Sequence, residues 1–205
     1  MLEELDKINW SQLHYSHGGT ADDVPLLIKA LLSQDECERD IAFQKLLAGV
    51  WHYGSIWEVT PYEVPFLWEL LKSPETPNKL FVANLLTVIA KEEHTYHHVM
   101  KDERKLEEWK IILAEQGKSL DEEVEKAKRY YKEVHSEIAK EFHFLYPYLF
   151  CEEPVIRDYV AKAFGNYPEF KSETLPLLEK ALLTETDEFA KETIENSIKI
   201  LSEAK

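Results

Sequence analysis

The strongest constraint on the fold of this chain is a recurrence. Four times an aliphatic or aromatic residue, a proline and an apolar helical run follow one another: Val24-Pro25-Leu-Leu, Val64-Pro65-Phe-Leu, Tyr146-Pro147-Tyr-Leu and Leu175-Pro176-Leu-Leu. The prolines lie 40, 82 and 29 residues apart, and the middle interval is close to two periods, so an insertion or a degenerate unit is expected there. After each such helix come a polar break and a second helix with a basic residue near its start and alanine inside. The pairs are Arg39/Ala42, Lys79/Ala83, Arg157/Ala161 and Lys191 beside Ala190. Small side chains there let stacked helices approach closely. A proline inside the first helix removes a backbone donor and can bend that helix.

Helix-start chemistry supports the reading. Thr60-Pro61-Tyr62-Glu63 offers a hydroxyl at N-cap, proline at N1 and a carboxylate at N3. Similar starts stand at Thr20 with Asp23, Ser33 with Glu36, Ser119 with Glu122, and Thr76 before Pro77. From Ser119 onward, Val124, Ala127, Tyr130/Tyr131, Val134, Ile138 and Phe142 recur at steps of three or four, one stripe of a helix. Helix 77–92 has little polar face beyond Asn84 and Thr87, as suits a helix with neighbours on most sides. The last helix, 187–205, alternates Phe189, Ile194, Ile198 and Leu201 with Glu192, Glu195, Lys199 and Glu203, as suits a solvated end. Sustained period-two alternation with tight-turn signals is missing, so no strands are expected.

These segments resemble HEAT-like repeats, in which helical hairpins of ~40 residues stack on copies of themselves. The residues that carry the resemblance are Asp23-Val-Pro-Leu-Leu-Ile-Lys-Ala-Leu-Leu-Ser33, Pro65-Phe-Leu-Trp-Glu-Leu-Leu-Lys72, Pro154-Val-Ile-Arg-Asp-Tyr-Val-Ala-Lys-Ala163 and Leu175-Pro-Leu-Leu-Glu-Lys-Ala-Leu-Leu183. They look most like bacterial HEAT-repeat proteins in which a His-x-Gly…Tyr/Trp-x-x-Thr turn joins the first two hairpins, here His52-Tyr-Gly-Ser-Ile-Trp-Glu-Val-Thr60. The resemblance implies an all-α fold, an α–α superhelix of one domain over 1–205. Its hairpins fall near 20–52, 60–93, 137–166 and 172–204, with a helical insert near 94–136. A compact, non-repetitive helical bundle is the alternative.

Charge narrows the function. With 24 Lys+Arg against 39 Asp+Glu, the net charge of −15 disfavours sequence-independent binding to nucleic acid or an anionic membrane. Ten of those cations crowd into 101–145, where Glu122 with Lys126 and Glu125 with Arg129 are spaced to pair along a solvated helix face. The longest uncharged apolar-rich run, 80–90, is shorter than the ~20 residues a membrane helix needs. The start Met1-Leu-Glu-Glu lacks the basic and apolar regions of a signal peptide, and two cysteines, Cys37 and Cys151, cannot build a disulfide framework. A reduced, cytoplasmic protein is expected, with both thiols inside or at the ends of apolar helices, acting as small hydrophobes.

Few residue sets suggest chemistry. His94 and His98 are spaced i,i+4, as two zinc ligands on one helix are, with Glu92, Glu93 and His97 beside them. Histidines near a helix C-terminus also suit the helix dipole without a metal. His14-x-x-His17-Gly18-Gly19 is a weaker set, read as a turn. Glycine-rich phosphate loops and a Gly-x-Ser-x-Gly elbow are missing. Among enzymes of this repeat architecture, deoxyhypusine hydroxylases hold iron with His-Glu pairs, and no His here precedes Glu. HEAT-like DNA glycosylases hold DNA in a basic groove, for which this chain is poor material.

The aromatic cluster Trp51, His52, Tyr53, Trp57 and Tyr62 stands out, at a turn where Trp and Tyr either fill the core between layers or meet a partner. The expectation is a non-enzymatic interaction module that uses these five residues to bind a protein, favoured to be basic, on a curved acidic surface. It needs no cofactor and no metal. An immunity-type inhibitor of a basic bacterial toxin, or a His-based metal-dependent enzyme, is the alternative.

Overall fold

The computed structural model describes residues 1–15, 19–50, 55–94 and 96–204. It is all-α, as expected. Two short 3-10 turns, Leu5–Lys7 and Trp10–Gln12, lead into α1 (Val24–Ala30), α2 (Glu36–Val50), α3 (Thr60–Lys72) and α4 (Lys79–Lys91). Then come α5 (His97–Met100), α6 (Glu103–Glu115) and α7 (Leu120–Ala139), a 3-10 helix over Phe142–Phe150, and α8 (Pro154–Asn166), α9 (Lys171–Leu182) and α10 (Glu188–Glu203). One departure from the strand-free expectation is a two-residue parallel pair, β1 (Ser55–Ile56) on β2 (Glu93–His94), with Ile56 opposite His94. It is a minimal two-stranded sheet that ties two extended connections together.

Two of the expected helix starts are capped, but by different side chains, while α1, α3 and α7 (its N-cap Ser119, as expected) carry no side-chain cap bond. Asp35, not Ser33, caps α2 by accepting from Cys37 N at 2.8 Å. Asn78, not Thr76, caps α4 by accepting from Leu80 N at 3.1 Å and Phe81 N at 3.3 Å, while the Thr76 hydroxyl donates to Leu70 O. A short carboxylate or amide oxygen one residue before the first turn reaches the orphan N–H groups best. The segment around Pro147 is the largest local departure: a 3-10 helix stands where an α-helix was expected. Proline cannot donate to the fourth preceding carbonyl, and the tighter winding aligns Phe142 and Leu145 with the core.

Helix α4 packs on α2 and on α8, and α8 packs on α10. Phe43 of α2 stacks on Phe81 of α4 at 4.5 Å. The C-terminal ends of α4 and α8 lie side by side, Asn166 Nδ2 donating to Lys91 O at 2.9 Å. Helices α8 and α10 approach closely, since a Cβ on Gly165 would come within 3.0 Å of Ser197 Oγ. As expected of an inner helix, α4 buries Val82, Ala83, Leu85, Leu86, Val88, Ile89 and Ala90.

Helix α7 does double duty. Its C-terminal half, with Tyr130, Val134 and Ile138, joins the main core and packs on α3, where Trp68 Nε1 donates to Glu137 O at 3.2 Å. Its N-terminal half, with Leu120, Val124 and Ala127, forms a second cluster with Tyr96, Val99 and Leu113. The expected boundary between insert and third pair, at 136–137, therefore falls inside one unbroken helix. On its solvent side Glu125 pairs with Lys128, one residue short of the expected Arg129, which reaches Glu133 instead.

Candidate functional site at the start of α3

The connection that follows β1 enters α3 through Trp57, Glu58 and Val59. Thr60 was expected to cap this helix. Instead it is the first helical residue, and its Oγ1 accepts from Trp57 N at 3.2 Å, tying the entering strand back onto the helix. Its hydroxyl is fully buried, so satisfying the Trp57 amide takes the place of capping.

Glu58 is the hinge point of the surroundings. His14 Nδ1 lies 3.0 Å from Glu58 Oε2, and Tyr130 Oη donates to Glu58 Oε1 at 3.0 Å. One carboxylate thus joins the N-terminal arm, the entry to α3 and α7. Burial pushes the Glu58 carboxyl up, but the bonds from His14 and Tyr130, with Lys126 nearby, more than reverse this and leave it below its ordinary value. Tyr130 is pushed up to about 12, by its own burial and then by the carboxylate it donates to.

Glu63 lies one turn further on and behaves in the opposite way. It was expected to stand at N3 and support the helix start. It is 1 % exposed, and neither carboxyl oxygen has a hydrogen-bond partner. Burial, and then the negative charge of Asp23, push its carboxyl up to about 8. Asp23 accepts from Tyr15 Oη at 3.1 Å. Tyr15 titrates well above the usual phenol range because of burial, then Glu63 and Asp23. Its ring rests on Gly49, where an added Cβ would come within 2.7 Å of Cε1 and push the ring aside. Trp57 adds a second unsatisfied group: its half-buried ring carries a buried indole N–H with no partner. Chemically the arrangement offers negative charge and open acceptors to a cationic group.

Of the residues expected to form a partner surface, Trp51, His52 and Tyr53 lie outside the described residues. Trp57 is half-buried and Tyr62 is 42 % exposed on α3, one residue before the buried Glu63. Glu58, Tyr130, Tyr15 and the Glu63–Asp23 pair are additions from the structure. Glu63 had a signal: Phe66, Leu67 and Leu70 follow it at steps of three, four and seven, which puts it on the buried face of α3.

The histidine set does not keep its expected geometry. His94 lies in β2 and His98 in α5, so the two do not share one helix. His97 Nδ1 pairs with Glu93, and the His94 and His97 ring centroids are 5.7 Å apart. Burial, then His97 and Lys128, hold the His94 imidazole below its usual value despite Glu93 and Glu125, and its Nδ1 is buried without a partner. Among the described residues no three His, Cys, Asp or Glu side chains come together as metal ligands. Both cysteines are free. Cys37 stands at the start of α2, within the expected placement, but is exposed rather than packed as a small hydrophobe, and Cys151 is half-buried.

A separate cavity of about 320 Å³ lies between the 3-10 helix, α8 and the α9–α10 turn, lined among others by Phe150, Cys151, Arg157, Thr184 and Glu185. Arg157 fills its polar side: Nε and Nη2 donate to Glu185 at 2.7 and 2.6 Å, and Nη1 donates to Cys151 O and Glu152 O at 2.9 and 3.0 Å. Glu185 also accepts from the backbone N–H groups of Thr186 and Asp187, both at 2.9 Å. Every one of these charged groups is satisfied internally, so the cavity is a structural joint. No described helix is long and apolar enough to cross a membrane. Set against protein-family models, curated proteins and solved structures, the chain matches none.

Proposed function

We propose that this chain is a non-catalytic protein–protein interaction module, in which stacked helical pairs of the HEAT-like kind present an acidic, aromatic-edged seam to a basic protein partner. The observation that carries this reading is the grouping at the start of α3: the carboxyls of Asp23, Glu58 and Glu63 with half-buried Trp57 and exposed Tyr62. Carboxylates beside Trp and Tyr suit a partner that brings Arg or Lys, because aromatic faces also attract those cations. The net charge of −15 adds long-range steering toward a positive partner. The two free thiols accord with a reducing, cytoplasmic setting.

A displayed random-peptide library selected on the full chain tests this. Recovered sequences are expected to be enriched in Arg and Lys, with association slowing as salt rises from ~50 to ~300 mM. The variant Tyr62→Ala is expected to weaken them by about 1–2 kcal/mol. Recovery of charge-neutral sequences at salt-independent rates refutes the reading.

A further inference from the structure

We infer that Glu63 is the receptor for a single cationic side chain of the partner, a guanidinium or ammonium group that enters when Tyr15 swings off Asp23. This rests on the interaction-module reading and adds to it a specific subsite and a proton-coupled binding step. The argument begins with an unmet demand. A carboxyl that is 1 % exposed normally meets an arginine, a lysine or several N–H donors, yet both oxygens of Glu63 lack a partner. The contrast within the same molecule is direct, since Glu185 receives a bidentate arginine and two backbone donors. The fold can therefore satisfy a buried carboxyl from within, and at Glu63 it does not.

The charge around Glu63 fixes the class of ligand. Among the described residues, the titratable groups that act on it or feel it are Asp23 and Tyr15, one a carboxyl and the other a phenol. An anion entering here meets two acidic groups, whereas a guanidinium finds up to four carboxyl oxygens. The same surroundings hold Glu63 protonated at neutral pH when nothing is bound. When a cation arrives, the Glu63 O–H bond breaks, the proton leaves to buffer, and the carboxylate is left paired with the ligand's charge. Nothing is oxidised or reduced and no covalent bond to the ligand forms.

Access is provided by Tyr15. Its ring is only half-buried, and its hydroxyl is held by one exposed bond, the 3.1 Å contact to Asp23. Swinging the ring aside frees Asp23 as a second acceptor at the moment the cation needs it. Gly49 gives the ring its resting place, because any larger residue there collides with it.

The test uses the full chain and the blocked tripeptide Gly-Arg-Gly, with its citrulline counterpart as an uncharged isostere. Calorimetry at pH 7 in buffers of different ionisation enthalpy is expected to show binding of the arginine peptide with release of close to one proton. The citrulline peptide is expected to bind at least ~10-fold more weakly. Glu63→Gln is expected to abolish proton release and weaken binding by ~10-fold or more. Tyr15→Phe, which keeps Glu63 and removes the bond to Asp23, is expected to tighten binding a few-fold. Arginine-peptide binding that releases no proton and is unchanged in Glu63→Gln overturns the inference while the wider reading stands. Failure of the arginine peptide to bind up to ~10 mM, while library-selected basic peptides do bind, also overturns it. If neither kind of peptide binds, both readings fall together.

Discussion

Two glutamates with little side-chain exposure, Glu63 in α3 and Glu185 between α9 and α10, meet opposite fates. Glu185, whose side chain is 2 % exposed, faces the Arg157 fork and two backbone N–H groups, and Arg157 above all lowers its carboxyl to about 2. Glu63, 1 % exposed, faces another acid and no donor, and its carboxyl rises to about 8. At Glu63 burial is the first cause of the rise and Asp23 adds to it, whereas at Glu185 the bonds from Arg157 and from two backbone N–H groups outweigh a smaller burial penalty. The first arrangement fastens α8 to the α9–α10 turn. The second leaves hydrogen-bonding capacity that folding has not used.

The comparison breaks most visibly if the donor is taken from the satisfied site. Arg157→Ala takes the paired cation from Glu185, leaving it the Thr186 and Asp187 N–H groups, and is expected to cost about 3–5 kcal/mol in urea denaturation at pH 7. The double variant Arg157→Met, Glu185→Met is expected to recover most of that loss, because it removes both charges together. Next in size is Glu63→Gln. A carboxyl whose native titration lies above its unfolded value lends stability below about pH 4.5, and this is lost as pH rises toward about 8. Glu63→Gln is therefore expected to stabilise the fold by roughly 2–4 kcal/mol near pH 8 and to converge with wild type near pH 4. Glu185 has the opposite sign: its contribution is present above about pH 4.5 and is lost on acidification toward about 2. Urea melts across pH read both trends, and parallel profiles for the two glutamates would erase the distinction.

Smaller effects sharpen it. Tyr130→Phe removes one donor from Glu58 and is expected to cost about 1–2 kcal/mol, with the Glu58 carboxyl titrating higher by carbon NMR. Trp57→Phe deletes a buried N–H that has no acceptor and is expected to change stability by less than about 1 kcal/mol. A loss of several kcal/mol there would mean that the indole is bonded after all.

Much of the fold was legible because helix periodicity is a strong local signal. The stripe of α7 through Val124, Ala127, Tyr130, Val134 and Ile138 is buried as its spacing implies, and α4 has the all-round apolar surface of a central helix. Capping was less legible, since Ser33 and Asp35, or Thr76 and Asn78, compete for one role within two residues. The winding around Pro147 depended on how Phe142, Tyr167 and Phe170 stack, at 4.5 and 4.9 Å, which is tertiary information. At the candidate site, Trp57 and Tyr62 could be named from type and place, but Glu63 was assigned to helix-end chemistry. Its true environment depends on Asp23 and Tyr15, some forty residues earlier, and no local pattern brings those together.

The shared membership of α7 has a practical consequence for anyone trimming this protein. Cutting away the helices from 97 to about 127 would not remove a detachable appendage. It would turn Tyr130 from a mid-helix residue into one beside a fraying end, where backbone bonds open most readily. The loosened tyrosine would let go of Glu58, so a shortened chain would carry a second lesion at the entry to α3, far along the sequence from the cut.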